Sequence, residues 1–547
     1  MRNRILKYLY SYIKNNFNRI PCGKINSSAI LDCRGLGLDS IEVMSLFFDI
    51  ESVFQVEIQA KDYYRIRTLM DLAVYIEKKL KEDSFLQYCK KYGEKIAVID
   101  EEIQISYAEL AVQIQCAAEK MHEWGMQEED TVLLTLENCW EYPVLFFAIL
   151  ETGAVPVLAD CTAKAEWLKM AKDSFAAFVI LDETDMEVSG FDYIGDIIGV
   201  QVWNRKVCEK KNAVLQEAYL IHYTSGSTGT SNGVVHDLAS FRNMITGFRK
   251  DFPITGKETF LAVLPFSHGY GLSCVFLSGL YAGSKLVMMH RFEPKGAVSL
   301  MKTKDVTHLF AVPPMFELIF RIMKRDRITL PELKYCCSSS LMLSYDLISQ
   351  FYELTGKVIN QEYGSAEIGV AAYSKFSTLP DTARCVGQLL YPECYRITEE
   401  GELYVFTPEM AIGYSSGKRF SKEFGTQDLV KLENGLLYLE GRIKNLLECG
   451  GHKVFAEEIR QNLLNTGLFQ DVHVCSASGN NKYICAFIVP KQPFEADREQ
   501  LVNILNSEMD SYKIPAEFRI VSEIISNKMG KVTQECIRMM EEKSSIL

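Results

Sequence analysis

The sequence lacks several features that mark common classes of ligand-binding and secreted proteins. Its 16 cysteines include no Cys-x-x-Cys pair, so neither a zinc site nor the disulfide framework of a small secreted domain is predicted. Acidic residues outnumber basic ones, 71 against 59, and the net charge of −12 leaves no basic field for a nucleic-acid backbone. These absences favour a cytoplasmic protein with reduced thiols and no nucleic-acid partner.

Long uninterrupted apolar runs are also missing. The N-terminal segment 1–17 mixes Arg and Lys with apolar residues, which is typical of an amphipathic helix and not of a signal peptide. The uncharged run 259–284 contains Pro265, His268 and several glycines, which make it unsuitable as a membrane helix. We therefore expect no membrane partner.

The length of 547 residues is too great for one hydrophobic core and predicts about three or four domain-sized units. From residue 96 onward, strand-like runs alternate with helical ones, and this alternation is typical of an α/β fold with largely parallel sheets. A short charged link, 78–83, separates this region from the N-terminal segment. It contains no long flexible tether.

A loop of small hydroxyl residues and glycines follows the apolar run 220–223. It lacks the Gly-Lys-Ser/Thr of a Walker loop and the Gly-x-Gly-x-x-Gly of a dinucleotide fold. Successive backbone amides and hydroxyls suit an anion, so phosphate binding is favoured, although a flexible surface linker is the alternative. The loop residues are Thr224, Ser225, Gly226, Ser227, Thr228 and Gly229.

A helix is predicted to begin next to Ser40. Asp39 is a natural N-cap, and apolar residues recur at helical spacing from Val43 to Phe54. The Leu-Gly-Leu-Asp-Ser run at 36–40, with Leu46 and Phe54 beyond it, resembles the signature of acyl and peptidyl carrier domains over residues 1–80. The resemblance implies that Ser40 carries 4′-phosphopantetheine. An ordinary capping serine is the alternative.

A series of ordered motifs resembles those of the adenylate-forming superfamily, which contains acyl- and aryl-CoA synthetases and nonribosomal-peptide adenylation domains. The likeness covers roughly residues 84–547, too much for coincidence. The quoted stretches, besides the loop at Thr224, are Ile105–Leu110, Gly153–Val157, Tyr363–Glu367, Thr426–Asp428, Gly441–Arg442 with Gly451 and Glu458, and Gly530–Lys531.

The resemblance implies a division of roles around ATP. The loop at Thr224 would hold the leaving pyrophosphate, and Tyr363 would stack near adenine. Asp428 would bind both ribose hydroxyls, with Arg442 beside the ribose or phosphate. Singly, each of these residues has an ordinary structural alternative, such as core packing for Tyr363 or a turn for Asp428.

The same resemblance implies three catalytic residues. Glu367 would hold Mg²⁺, and Lys531 would contact the carboxylate and α-phosphate oxygens as they converge, because two anions must be neutralised there. His268 lies in a Pro-x-x-His-x-x-Gly pattern like that of acyl- and aryl-CoA ligases. A surface lysine and a packed core histidine are the alternatives for Lys531 and His268.

The chain departs from the family pattern at several positions. Asn232 stands where a phosphate-facing lysine is usual, Ala366 replaces a threonine, and Gln427 replaces a glycine beside the ribose aspartate. These changes put catalytic rate in doubt. The run 338–341 carries bulk near the expected acyl pocket, which predicts a smaller or reshaped pocket.

The substrate class follows from a missing carboxylate. Relatives that activate amino acids keep an aspartate near the His268 motif to pair the substrate ammonium, whose burial unpaired would be costly. No Asp or Glu occurs from Ala262 to Ser284. We therefore expect a carboxylic acid without an α-amino group.

The predicted architecture is multidomain. An all-α four-helix carrier bundle (1–80) precedes a large α/β adenylation core (84–441) and a small, mobile α+β C-terminal subdomain (444–547). In the superfamily the small domain rotates about a residue after Gly-Arg, and Lys444 occupies that hinge position. An exposed turn lysine is the alternative.

The predicted function is ATP-dependent formation of an acyl-AMP and transfer of the acyl group to a phosphopantetheine thiol, in secondary-metabolite or lipid biosynthesis. The expected cofactors are ATP, Mg²⁺ and 4′-phosphopantetheine. The expected partners are the carboxylic acid, a phosphopantetheinyl transferase and a downstream acyl-accepting enzyme. Two alternatives stay open: an acyl-CoA synthetase that uses free CoA or a separate carrier, and a catalytically impaired adenylate-binding scaffold.

Overall fold

The computed structural model of the protein describes most of the chain. The described residues are 1–182, 188–205, 211–224, 232–252, 254–443, 446–449, 452–476, 484–491, 497–526 and 532–547.

The N-terminal region is helical. Its α-helices are α1 (Arg2–Asn16), α2 (Ser40–Phe54) and α3 (Leu69–Glu82), with a short 3₁₀ turn at Cys22–Lys24. The Asp39 carboxylate accepts a hydrogen bond from the Glu42 N–H, and the Glu42 carboxylate accepts one from the Asp39 N–H, which forms a capping box at the start of α2. The helical class of the predicted carrier is confirmed, with three α-helices and consecutive turns at 60–65 before α3.

The large domain alternates helices and strands, as the sequence predicted. Its helices are α4 (Phe85–Tyr92), α5 (Tyr107–Glu123), α6 (Glu141–Glu151), α7 (Lys164–Asp173), α8 (Leu238–Asp251), α9 (Ser278–Ala282), α10 (Pro294–Thr303), α11 (Pro313–Asp326) and α12 (Tyr345–Thr355). A π-helical segment, Gly271–Leu277, precedes α9.

The strands of the large domain form two sheets. They are β1 (Ile96–Asp100), β2 (Ile103–Ser106), β3 (Thr131–Thr135), β4 (Val155–Leu158), β5 (Ala176–Leu181), β6 (Asp192–Ile197), β7 (Val200–Asn204), β8 (Leu220–Thr224), β9 (Asn232–His236), β10 (Thr259–Ala262), β11 (Lys285–Met288), β12 (His308–Ala311), β13 (Tyr335–Ser338), β14 (Ile359–Ser365), β15 (Gly369–Tyr373), β16 (Cys385–Leu389), β17 (Tyr395–Ile397), β18 (Glu402–Val405), β19 (Gly413–Tyr414), β20 (Phe424–Glu433) and β21 (Leu436–Arg442).

The first sheet has 13 strands in the order β17-β18-β20-β21-β16-β15-β14-β13-β12-β10-β11-β1-β2. Its run from β14 to β1 is parallel, and the strands beyond it on each side are antiparallel. The second sheet has eight strands in the order β19-β9-β8-β4-β3-β5-β7-β6.

Strands β3, β4 and β8 of the second sheet run parallel to one another. Because β4 pairs in parallel with both β3 and β8, the amino ends of all three lie at one edge and their carboxyl ends at the other. Thr224 ends β8 at the carboxyl edge, where parallel sheets commonly bind ligands.

The C-terminal region is α+β, as predicted. Strands β22 (Leu446–Cys449) and β23 (His452–Phe455) form a hairpin, which precedes α13 (Ala456–Asn465). A four-stranded sheet, β24 (Phe469–Ser476), β25 (Ile484–Pro490), β26 (Glu517–Ile520) and β27 (Ser545–Ile546), packs with α14 (Arg498–Glu508) and α15 (Gln534–Lys543). In the described part of the chain, no helix is both long and apolar enough to cross a bilayer.

Candidate functional site

Two of the predicted motifs meet the end of β8 at the carboxyl edge of the second sheet. His222 lies on β8, two residues before Thr224, and a Cβ atom placed on Gly269 would lie 3.3 Å from the His222 ring and 3.9 Å from the Cα of Ala366. The end of β8, the His268 motif and the Ala366-Glu367 motif are therefore neighbours. Gly269 permits this close approach because it has no side chain.

Tyr363, Asp428 and Arg442 form one connected cluster. The Tyr363 hydroxyl donates to Asp428 Oδ2 over 2.8 Å, and Arg442 Nε lies 2.8 Å from Asp428 Oδ1. Asp428 and Arg442 are paired across β20 and β21, so the sheet register brings them together. Burial, with the Asp428 carboxylate beside it, raises the pKa of Tyr363 far above its ordinary value, so the hydroxyl stays a donor. The cluster can present a carboxylate and a cation to a ribose phosphate.

Glu367, the predicted metal ligand, is held by two hydrogen bonds. The Tyr414 hydroxyl donates to Glu367 Oε1 over 3.0 Å, and the Ala411 N–H donates to the Glu367 carbonyl over 2.8 Å. Tyr414 lies on β19, which pairs with β9 directly after the glycine loop. Mg²⁺ binds one or two carboxylates together with substrate phosphates, so the Glu367 carboxylate is a suitable ligand.

A buried carboxyl group, Glu409, supports the segment after Glu367. Its Oε2 accepts from the Val370 N–H and its Oε1 from the Tyr391 hydroxyl, both over 3.0 Å. Burial raises the pKa of Glu409 to about 8, despite the hydrogen bonds that favour its charged form. Nothing in the local sequence distinguishes this residue from a surface glutamate, so the sequence alone does not predict it.

Glu409 should make the stability of the large domain depend on pH. Since its folded-state pKa lies above the ordinary value, the stabilisation is full below that ordinary value and is lost as pH rises through about 8. We expect the free energy of unfolding to fall by about 1 kcal/mol per pH unit in this window. Glu409→Gln should flatten the dependence in urea titrations at several pH values. The exposed Glu400→Gln serves as the control, and an equally steep fall in the Glu409 variant would contradict the assignment.

Two neutral histidines lie behind Ala366. His236 Nε2 lies 3.1 Å from the Ala366 carbonyl, to which it donates, and 3.4 Å from His222 Nε2. Burial lowers the pKa of His222 to about 4 and holds that of His236 well below its ordinary value. Both rings are therefore neutral near pH 7 and fix the backbone before Glu367. Sequence reasoning missed them, since their strand pattern resembles ordinary core residues.

His268 faces a carboxylate that the sequence analysis had not connected with it. Its Nε2 lies 3.5 Å from Asp160 Oδ2, and the Thr162 N–H and hydroxyl donate to Asp160 Oδ1. Burial acts to raise the pKa of Asp160, but the hydrogen bonds from His268 and Thr162 outweigh it and hold that pKa below its ordinary value. Asp160 follows β4 at the carboxyl edge, so tertiary structure brings the pair together.

A second buried carboxyl group lies near the predicted acyl pocket. Glu362 lies on β14 beside β13, and the Ser339 side chain hydrogen bonds to it. The Tyr270 hydroxyl donates to the Cys337 carbonyl over 2.8 Å in the same region. Burial raises the pKa of Glu362 to about 7. The stretch Ala262–Ser284 lacks a carboxylate in sequence, but the fold places one nearby.

Gln427, which precedes Asp428 and replaces the glycine usual in the family, has a strained backbone conformation. Gln427 has φ of 61°, in the left-handed region that favours glycine. We expect Gln427→Gly to stabilise the large domain by about 1 kcal/mol, the cost of a left-handed side-chain-bearing residue. Thermal and urea unfolding would measure it. The control is Gln104→Gly in strand β2, which should destabilise, and a loss of stability at Gln427 would refute the prediction.

Several predicted site residues lie outside the described part of the chain. These are Ser225, Gly226, Ser227, Thr228 and Gly229 of the loop, the hinge candidate Lys444, and Lys531. Thr224 and Asn232 lie on the paired strands that enclose the loop residues. The roles of all of them remain predictions.

Ser40 is the first residue of α2 and is exposed to solvent. The neighbouring Ile41 is 77% exposed, so the helix start is accessible to another protein. This position is suitable for a covalently attached arm, whose attachment requires an enzyme to reach the serine hydroxyl.

Comparison with known protein families agrees with this geometry. The family model of the AMP-binding enzyme matches residues 85–415. The chain belongs to the AMP-binding enzyme family. A second model, the phosphopantetheine attachment site, matches residues 24–76, which include Ser40. The predicted superfamily, the carrier domain and the class of AMP-forming ligase are confirmed, as is the use of phosphopantetheine and an adenine nucleotide.

Individual relatives have low sequence identity to this chain, but the matches extend over most of its length. The chain is 24% identical over 502 residues to 2,3-dihydroxybenzoate-AMP ligase of Bacillus subtilis (strain 168), covering 82% of this chain and 91% of the ligase. It is 23% identical over 357 residues to the long-chain-fatty-acid–CoA ligase of the same strain, covering 59% of this chain but only 62% of that ligase.

A solved structure shows the same fold. O-succinylbenzoate coenzyme A synthetase (MenE) of Bacillus subtilis, in complex with ATP and a magnesium ion, superposes with a TM-score of 0.69 at 22% identity. The match covers 82% of this chain and 97% of the synthetase. The predicted α/β core with a small C-terminal domain is therefore confirmed.

Proposed function

We propose that this AMP-binding enzyme activates a carboxylic acid without an α-amino group and transfers the acyl group to the phosphopantetheine thiol on Ser40. The observation that carries the proposal is the Tyr363-Asp428-Arg442 cluster in a chain that also has an exposed Ser40 at a capped helix start. The proposed domain limits are 1–80, 84–441 and 444–547.

In the first half-reaction, a carboxylate oxygen of the acid attacks the α-phosphorus of ATP. A phosphorus–oxygen bond forms, the bond to the β-phosphate breaks, and pyrophosphate leaves. Asp428 would accept hydrogen bonds from the ribose hydroxyls, and Arg442 would face the phosphate. Lys531 would stabilise the negative charge where carboxylate and phosphate meet.

Glu367 would hold Mg²⁺, which neutralises phosphate charge in reactions of this kind. Tyr414 orients the Glu367 carboxylate by a hydrogen bond, and Glu409 accepts a hydrogen bond from the backbone N–H of Val370, three residues after Glu367. MenE, which shares the fold, was solved with ATP and a magnesium ion. That likeness supports the assignment of the same ligands to this chain.

In the second half-reaction, the sulfur of the arm attacks the acyl carbon. A thioester forms, the bond to the AMP oxygen breaks, and the thiol proton passes to solvent or to AMP. Rotation of the small domain about Lys444 would expose the acyl-AMP to the arm. A phosphopantetheinyl transferase would be needed to modify Ser40, and a downstream enzyme would receive the acyl group.

Two carboxyl groups near the His268 motif bear on the substrate class. Asp160 is already engaged by His268 and Thr162, so it is not left for a substrate ammonium. Glu362, with its pKa raised to about 7, can be neutral and donate a hydrogen bond to a polar acid. A neutral aryl or short acyl acid is consistent with both.

The test combines two measurements on the phosphopantetheine-bearing protein. Acid-dependent exchange of labelled pyrophosphate into ATP would be measured with aryl acids, short acyl acids and α-amino acids, followed by mass measurement of the intact chain. We expect exchange and an acyl mass increase with an aryl or acyl acid. Absence of exchange with every acid would favour the scaffold alternative. An α-amino acid as best substrate would refute the substrate class, and transfer only to added CoA would favour the CoA synthetase alternative.

A further inference from the structure

Helix α1 joins the carrier domain to the amino edge of the second sheet. The Arg4 side chain is buried, donates from Nη2 to the Gly153 carbonyl over 2.8 Å and lies over the Tyr219 ring at 5.3 Å. Lys7 Nζ forms an ion pair with Glu129 at 2.6 Å. A buried guanidinium that binds a backbone carbonyl is typical of a stable domain contact, since leaving it unpaired would be costly.

These contacts all lie at one edge of the sheet. Glu129 precedes β3, Gly153 precedes β4 and Tyr219 precedes β8, so each lies at the amino end of a parallel strand. The amino terminus of the chain also pairs with Glu128 at this edge. Helix α1 therefore packs against the edge opposite Thr224.

A second contact secures helix α2. The Asn243 side chain on α8 donates to the Val53 carbonyl over 3.0 Å. Helix α8 begins just after β9, next to His236, which pairs with Leu220 at the amino end of β8. The buried side chains of the carrier share one continuous hydrophobic core with many of those of the large domain. The carrier is thus packed like an integral part of the large domain.

The link between carrier and large domain leaves little freedom. Only Asp83 and Ser84 separate α3 from α4, and Asp83 forms an ion pair with Arg242 of α8. Two extended residues span at most about 7 Å. The five residues of β8, which separate the two sheet edges, span about 16 Å. The link is too short to carry the domain from one edge to the other.

We propose that the docked carrier is loaded by a second copy of the chain, because the α1 contact and the two-residue link hold it at the edge opposite its own adenylation site. The inference rests on the proposed function, since it concerns transfer to the thiol on Ser40. The exposed Ser40 and Ile41 on the docked carrier leave the attachment site free for that copy.

The test uses two full-length chains of different mass, co-expressed with a phosphopantetheinyl transferase so that they mix. The donor is the wild-type chain. The acceptor carries Asp428→Ala, which removes the carboxylate proposed to bind the ribose hydroxyls. It keeps Ser40. After addition of ATP and the acid that supports exchange, mass measurement follows the acyl group on each chain.

We expect the acceptor to be acylated in the mixture at a rate similar to that of the donor, and on the order of 10²-fold more slowly when alone, a ratio typical for loss of one preorganised site group. Acylation of the donor while the acceptor stays unmodified would overturn the inference. An acceptor that also carries Ser40→Ala should stay unmodified. The proposed function is tested separately, by exchange and acylation of the wild-type chain alone.

The docked state itself is tested by charge reversal. Lys7→Glu places a carboxylate opposite Glu129, and we expect faster hydrogen exchange at the amino ends of β3, β4 and β8 with unchanged exchange in α2 and α3. Arg4→Glu should act more strongly, because its carboxylate would be buried against the Gly153 carbonyl. The matched control is Arg34→Glu, which changes an exposed arginine paired with Asp32 inside the carrier. Unchanged protection at the sheet edge in both docking variants would contradict the docked arrangement.

Discussion

Replacement of Ser40 by alanine is expected to abolish acylation of the chain, while acid-dependent exchange of pyrophosphate into ATP continues. The serine hydroxyl is the only atom of this side chain that can carry the phosphopantetheine arm, so no partial activity should remain. Asp428, Tyr363 and Arg442 lie in a different domain and on different strands, so the first half-reaction should not need Ser40. Mass measurement of the intact chain and the exchange assay, run on the same sample, separate the two effects.

The matched control is Ser45→Ala, an exposed serine on the same helix. It should be modified and acylated like the wild-type chain. Removal of Ser40 also leaves the Asp39–Glu42 capping box intact, so α2 should keep its helicity. Acylation of the Ser40 variant would show that another residue carries the acyl group and would refute the assignment.

Replacement of Asp428 by alanine is expected to lower kcat/KM for ATP on the order of 10²-fold or more, as for loss of a preorganised site group. The carboxylate is the partner of both Tyr363 and Arg442, and charge-assisted hydrogen bonds are stronger than neutral ones. Its proposed ligands are the ribose hydroxyls. The wild-type enzyme should therefore prefer ATP over 2′-deoxy-ATP, and the variant should lose this preference.

That loss of preference distinguishes ribose binding from a general structural role. A variant that is merely destabilised would be slower with both nucleotides but would keep their ratio. Glu433→Ala, at the exposed end of the same strand, provides the control and should leave the ratio and the rate unchanged. An Asp428 variant with an unchanged ratio would contradict ribose binding.

Local patterns in the sequence were sufficient for the parts of the protein that depend on neighbouring residues. The Asp39 cap and the apolar spacing from Val43 to Phe54 specify α2, because a helix is stabilised by contacts three and four residues apart. Alternating strand and helix runs predicted the α/β core, and ordered motifs predicted the enzyme family. The helical class of the carrier followed from the same local signals, whereas the turns at 60–65 are seen only in the structure.

Only the tertiary structure decided which distant groups act together. Glu409 contacts Val370 and Tyr391, and Asp160 faces His268, although no pattern in the sequence connects these residues. Burial raises the pKa of Glu409, whereas the hydrogen bonds from His268 and Thr162 lower that of Asp160 against the effect of burial. Both shifts depend on the packing of whole elements. The position of the carrier is a further case. The motif around Ser40 indicates a carrier, and the charged run after it a short link. Strand direction and the contacts of Arg4 place the carrier at the amino edge, because parallel strands bring the residues before β3, β4 and β8 to a single surface.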